Sequence, residues 1–180
     1  DLILVMGTEA AQNLATNEHS VPVVAMSISN AVQSEIVKGP QFSGIKHVWA
    51  HMDPYRYKRQ IDIFHDIFKF KKLGVVFDDD RAGRSYAAID DIFETAKSKN
   101  FAVITENIAQ PQKYPKGSTE FSQDLRYAFQ KLSAKVDAVY MGLFIGSKPS
   151  DLKFALTPLT ERKIPVFAQQ SNDVNNGALM

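Results

Sequence analysis

Three consecutive carboxylates, Asp78-Asp79-Asp80, follow the apolar run Val75-Val76-Phe77 and lead into Arg81-Ala82-Gly83-Arg84-Ser85. Asp78 and Asp80 form a D-x-D at the end of a strand-like stretch. In phosphoryl-transferring enzymes that spacing supplies a nucleophilic carboxylate and an acid/base two residues on, while Mg²⁺ screens the phosphate. Such a site also needs a Ser or Thr at a following strand end, a lysine for the phosphate and a further acidic pair for the metal. No such set follows "FAVITENI" or "DAVYMGLF". A receiver-like acidic pocket draws its acids from two strands, whereas these three come from one loop. Two readings remain. An aspartate can turn the chain through side-chain to backbone hydrogen bonds while its neighbours are solvated beside Arg81 and Arg84. Alternatively, Gly83-Arg84-Ser85 heads the next helix, where free N–H groups and the helix dipole favour an anion and Ser85 is donor or N-cap.

The other candidate chemistry is weaker. His47 and His51 are four apart but bracket a strand end rather than share a helix face, so no metal site is expected there. His19 and His65 read as isolated residues, and "KFKK" at 69–72 as a solvated helix terminus. Trp49 and Phe144 fall near strand ends, where each could stack on a ligand or pack in the core.

These residues must be positioned by a chain of 180 residues, 44% hydrophobic and 23% charged, a globular balance for one domain or two small lobes. Twenty-one Lys plus Arg against twenty Asp plus Glu leave a net charge of +1. No basic field is available to hold nucleic acid or an anionic membrane. Cysteine is absent, which removes disulfides and thiolate metal sites. No apolar run approaches the roughly 18 residues needed to span a bilayer. "DLILVMG" reads as a strand from its first residue, as an excerpt of a longer protein would.

Seven short apolar runs recur: "LILVMG", "VPVVAMS", "GIKHVWA", "KLGVVF", "FAVITENI", "DAVYMGLF" and "IPVFAQ". They are rich in β-branched residues and mostly lack polar alternation, as parallel strands covered on both faces do. Helical periodicity fills several gaps: Tyr57, Ile61, Phe64 and Phe68; Ile89, Ile92, Phe93 and Ala96; Phe121, Leu125, Ala128 and Leu132; Leu152, Ala155, Leu156 and Leu159. The alternation implies a doubly wound α/β architecture. A helix from about Tyr55 to Phe70, capped by Asp53 with Pro54 in its first position, separates two blocks. The expected division is residues 1–53, part of a first α/β lobe, and residues 54–180, a crossover helix and most of a second lobe. The loop "AQPQKYPKGS" is expected on the surface. Ligands of open parallel sheets bind beyond the carboxyl ends of the strands.

Taken together, "GTEAAQ", "VPVVAMSISNAV", "KKLGVVFDDD", "VDAVYMGLF" and "IPVFAQQSNDVNNGALM" resemble the substrate-binding proteins of an ABC transporter family with the type I periplasmic-binding fold. The resemblance covers nearly the whole chain, and "IPVFA" followed by "VNNGAL" is its most specific part. It implies two Rossmann-like lobes with parallel sheets, truncated here at both ends, that close by a hinge on a small solute without chemistry and without a cofactor. It also implies a periplasmic or extracytoplasmic location, an ABC permease as partner, and membrane attachment only through that permease or a lipid anchor on the longer form. Gly7 and Thr8, with Glu9 beside them, then match a cleft-facing turn of the first lobe, and Ser29 and Asn30 its polar pair. In the second lobe Phe77 and Asp78 match a strand-ending Tyr-Asn, and Ser85 a helix-head serine if one residue is inserted in the loop.

Two departures bear on the ligand. Met141-Gly142-Leu143-Phe144 stands where the family usually has a Pro-Thr-Asp-Asn type of turn, and the amides Gln169 and Gln170 stand where it usually presents an acid. With both acids gone, a ligand ammonium would need Glu9 or the aspartate triplet. An apolar or aromatic carboxylate would suit Phe144, the amides and the Ser85 helix head. The sequence thus predicts a solute-binding protein for an amino acid or related carboxylate, with Gly142 also on the cleft rim and no metal. An extracytoplasmic sensor domain and a Mg²⁺-dependent phosphotransferase are the alternatives.

Overall fold

In a computed structural model, residues 1–179 are described, and the chain divides into two compact units, Asp1–Tyr57 and the residues from Lys58 onward. In the first unit, strands β1 (Ile3–Met6), β2 (Val23–Met26) and β3 (Val48–Ala50) form a parallel sheet in the order β1-β2-β3. Helix α1 (Thr8–Leu14) joins the first two strands. Val5, Val23, Ala25, Val48 and Ala50 point to one side of this sheet and pack with Ala11, Ile28, Ile36 and Val37. Alternate positions Leu4, Met6 and Trp49 are exposed, as period-two side chains on the opposite face must be when nothing covers them.

The second unit carries four parallel strands: β4 (Lys72–Phe77), β5 (Ala102–Asn107), β6 (Ala138–Met141) and β7 (Val166–Ala168), in the order β5-β4-β6-β7. Helices α2 (Arg56–Phe68), α3 (Arg81–Tyr86), α4 (Ile89–Lys99), α5 (Glu120–Ser133) and α6 (Pro149–Glu161) complete it. Both faces of this sheet are covered. Leu73, Val75, Phe77, Ala138, Tyr140 and Phe167 pack with Ile61 and Phe64 of α2 and Ile89, Ile92 and Ala96 of α4. The alternate residues Val76, Val139, Met141, Val166 and Ala168 pack with Leu125, Phe129 and Leu132 of α5 and Leu152, Leu156 and Leu159 of α6. Burial on two faces explains why these strands read as continuous apolar runs.

All seven apolar runs form strands, and the stripes on α5 and α6 are buried throughout. Phe68 and Phe93 depart from their stripes and stay largely exposed. Helix α2 begins at Arg56 rather than Pro54, because Asp53 Oδ1 accepts from the Tyr55 N–H at 3.2 Å and makes a turn first. Inside α6, Pro158 has no N–H for the Phe154 carbonyl four residues back. The Thr157 hydroxyl at 2.9 Å and Arg126 Nη1 at 3.4 Å donate to that carbonyl instead.

Phe129, fully buried at the centre of the α5 face, gives the clearest test of this packing. Phe129→Ala should lower the unfolding free energy of the second unit by about 3–5 kcal/mol, through lost transfer energy and the cavity left behind, as read by urea denaturation.

Candidate functional site

The carboxyl ends of the strands carry the polar residues of each unit. In the first unit Gly7 follows β1 at φ 95, a left-handed conformation suited to glycine. Its N–H donates to the Met26 carbonyl at 2.9 Å. Thr8 Oγ1 accepts from the Ser29 N–H at 3.1 Å, tying the end of β1 to the end of β2. Asn30 Oδ1 accepts from the Gln33 N–H at 3.0 Å and fixes the next turn. The structure therefore brings Gly7, Thr8, Ser29 and Asn30 together, and Glu9 is exposed on the first turn of α1.

In the second unit the aspartates are internally neutralised. Lys113 Nζ lies 2.6 Å from Asp78 Oδ2 and 2.6 Å from Asp80 Oδ2. Arg84 reaches Asp79 at 3.1 Å and Asp90 at 3.0 Å. Asp80 is also the N-cap of α3, where Oδ1 accepts from the Gly83 N–H at 2.7 Å. That N–H, followed by the Lys113 ammonium, holds the Asp80 carboxyl below the usual carboxylate range. Asp78 and Asp80 thus flank one lysine ammonium. Among the described residues, no group of three His, Cys, Asp or Glu could hold a metal ion.

Gln110 was not singled out from sequence, yet it fastens three strand ends. Its N–H donates to Asp78 Oδ2 at 2.9 Å, its Nε2 to the Leu143 carbonyl at 3.3 Å, and its Oε1 accepts from the Ile145 N–H at 3.1 Å. The residue is 2% exposed, so the loop expected on the surface is anchored through its first polar side chain. Nothing in the local pattern before Pro111 distinguishes this glutamine, because all its partners are distant in sequence.

The remaining candidates occupy distinct places. Phe77 packs in the α2/α4 core, with the Arg84 guanidinium 5.9 Å from its ring centre. Phe144 packs in the α5/α6 core, 5.6 Å from the Phe121 ring centre. Ser85 is 1% exposed and lies in the last turn of α3. Its expected place at a helix head is therefore corrected: Asp80 takes the cap because its side chain reaches Gly83 directly, and α3 ends one residue after Ser85. Gly142 lies against α3, where a Cβ would stand 2.6 Å from Ala87 Cα and 2.8 Å from the Tyr86 carbonyl. That carbonyl accepts from the Leu143 N–H at 3.1 Å and from Gln169 Nε2 at 2.9 Å. Gln170 is exposed beyond β7 and borders a polar cavity of about 330 Å³ lined also by Ser147, Asn172, Asp173 and Asn176. Burial pushes the Asp173 carboxyl up, and the hydrogen bond from Asn176 Nδ2 partly opposes it.

Both units are parallel α/β, and solved structures of the type I periplasmic-binding class of fold superpose on the chain. The chain belongs to the ABC transporter substrate-binding protein family, whose description matches residues 1–180. A curated relative, the tyrosine-binding protein of Clostridioides difficile, is 25% identical over 183 residues, covering 99% of this chain and 48% of that protein. The chain thus spans about half the length of that relative. A Streptococcus pneumonia ABC domain in complex with L-Trp matches with a TM-score of 0.73 and 18% identity, over 99% of this chain and 56% of that one. A ligand-free, open substrate-binding protein with adhesive properties from Clostridium difficile matches with a TM-score of 0.65 and 24% identity, over 99% and 56%.

Folding favours the ionised form of Asp80, so its stabilisation is present above the ordinary aspartate range and is lost as pH falls through the lowered value. Asp80→Ala should cost about 1 kcal/mol at neutral pH through the lost cap. The deficit should narrow when melting curves are repeated in acid, below that range.

Proposed function

We propose that the full-length protein is the extracytoplasmic solute-binding component of an ABC transporter, capturing an amino acid or related carboxylate by hydrogen bonding and without catalysis. The observation that carries this reading is the array of fixed hydrogen-bonding groups at the strand ends of each unit, within a chain of this family. The neutralisation of Asp78, Asp79 and Asp80 supports a binding role over phosphoryl transfer. Tyrosine, tryptophan and leucine appear in the names of a relative and two structural neighbours, which favours an amino acid with an aromatic or apolar side chain.

With the aspartate triplet occupied, the exposed carboxylate of Glu9 is the partner available for a ligand ammonium. Thr8, Ser29, Asn30, Gln169 and Gln170 supply neutral hydrogen-bonding groups, while Gly7, Phe77, Asp78, Ser85, Gly142 and Phe144 shape and support the strand ends behind them. An ABC permease is the proposed partner of the solute-loaded protein.

Thermal unfolding of the full-length protein against amino acids, carboxylates, nucleosides and sugars, with Mg²⁺ and phosphate as controls, tests the reading. A saturating ligand raises stability by about 2.7 kcal/mol at a hundredfold excess over Kd. The expected result is a metal-independent rise with an apolar amino acid, and an affinity at least tenfold lower in Glu9→Gln. The deaminated analogue should bind wild type and Glu9→Gln equally. A response confined to Mg²⁺ with phosphate would overturn the proposal.

A further inference from the structure

Away from the strand carboxyl ends, the fold joins two histidines that look unrelated in sequence. His19 lies between α1 and β2, and His47 immediately precedes β3. Both therefore stand at the amino-terminal end of the first unit's sheet, opposite Gly7, Thr8, Ser29 and Asn30. Their ring centres are 5.0 Å apart, with the planes inclined at 63°. His19 Nε2 is 3.0 Å from the Leu14 carbonyl. A carbonyl only accepts, so in the neutral ring Nε2 carries the proton and Nδ1 presents its lone pair. His19 Nδ1 is buried without a partner, and so is His47 Nε2. A buried polar atom left unpaired is uncommon and costs about 1–3 kcal/mol. Two such atoms on contacting rings call for one explanation.

We propose that His19 Nδ1 and His47 Nε2 bind one Zn²⁺ ion, or a similar borderline transition metal, at a site separate from the solute-binding face. The ring spacing fits. With Zn–N about 2.0–2.1 Å, an imidazole centre lies about 3.2 Å from the metal, and two such rings at a tetrahedral angle have centres about 5.2 Å apart. The observed separation is 5.0 Å. The Leu14 carbonyl makes the outer contact that fixes tautomer and ring orientation in ligating histidines. Since no third His, Cys, Asp or Glu joins the pair among the described residues, water completes the coordination and the affinity is modest. The bound ion ties the α1–β2 connection to the start of β3 and stabilises the first unit by binding only its folded form.

The test is calorimetric titration of Zn²⁺ into tag-free, chelator-treated full-length protein. Wild type is compared with His19→Ala, His47→Ala and the exposed control His51→Ala. One Zn²⁺ per chain is expected, with affinity at least tenfold lower in either of the first two variants and unchanged in His51→Ala. Zinc X-ray absorption on the wild-type protein, which does not depend on how the variants fold, should show two imidazole nitrogens and an oxygen shell. Absence of Zn²⁺ binding by wild type would mean that the rings simply hydrogen-bond to each other after a small rotation, and would overturn the proposal. So would binding retained in both variants, or a zinc shell without two imidazoles.

Discussion

A parallel sheet whose strands are apolar on both sides must be covered on both sides, and that constraint organises the second unit. The strand order β5-β4-β6-β7 places the next strand on one side of β4 and the later ones on the other. The α4 connection accordingly covers one face, and α5 and α6 the other. The reversal at β4 makes the carboxyl ends of β4 and β6 the switch point of the sheet, the place where open α/β sheets bind ligands. Here Gln110 bonds to residues at both ends, its backbone N–H to Asp78 and its side-chain amide to Leu143 and Ile145. Gly83 and Gly142 let the backbone of α3 pack against those ends at separations that a Cβ would forbid. Gln170, left to face solvent, rests on a rim whose backbone is fastened on several sides.

The electrostatics of that rim follow from where Lys113 falls. One ammonium bridges the first and third aspartates while Arg84 takes the second. The acidic run thereby supplies ion pairs and a helix cap that hold the strand end together. Asp79 and Asp80 are solvent-facing, so their ion pairs contribute less to stability than their number suggests. Their stronger effect is on geometry, because Asp80 starts α3 and Asp78 holds Gln110. At the strand ends, neutral hydrogen-bonding groups stand beside Glu9, exposed on the first turn of α1, and Asp173 beyond β7.

Much of this was legible in the sequence. Strands buried on two faces show themselves as β-branched runs, and the stripes on α5 and α6 are regular enough to be read directly. The family resemblance drew attention to Gly7 and Asn30, and a turn role was one of the two readings open for the aspartates. The sequence did not reveal contacts between distant residues: Gln110 with Leu143, Lys113 with Asp78, Gln169 with Tyr86, or His19 with His47. Each joins residues from separate elements, and no periodicity carries that information. The misplacement of Ser85 has a related cause, since either Asp80 or Ser85 is an acceptable N-cap by type and only the path of the chain decides between them.

Hydrogen–deuterium exchange of the full-length protein with and without an aromatic amino acid such as L-tyrosine tests the central claim most directly. A solute bound at a preorganised strand-end rim should slow exchange at residues 7–9, 27–30, 142–147 and 169–173, while the amides within β4 and β6 stay unchanged. Slowing confined to the groove between β5 and α5, lined by Tyr114, Asp124, Tyr127 and Lys131, or no slowing at the strand ends under saturating solute, would contradict it.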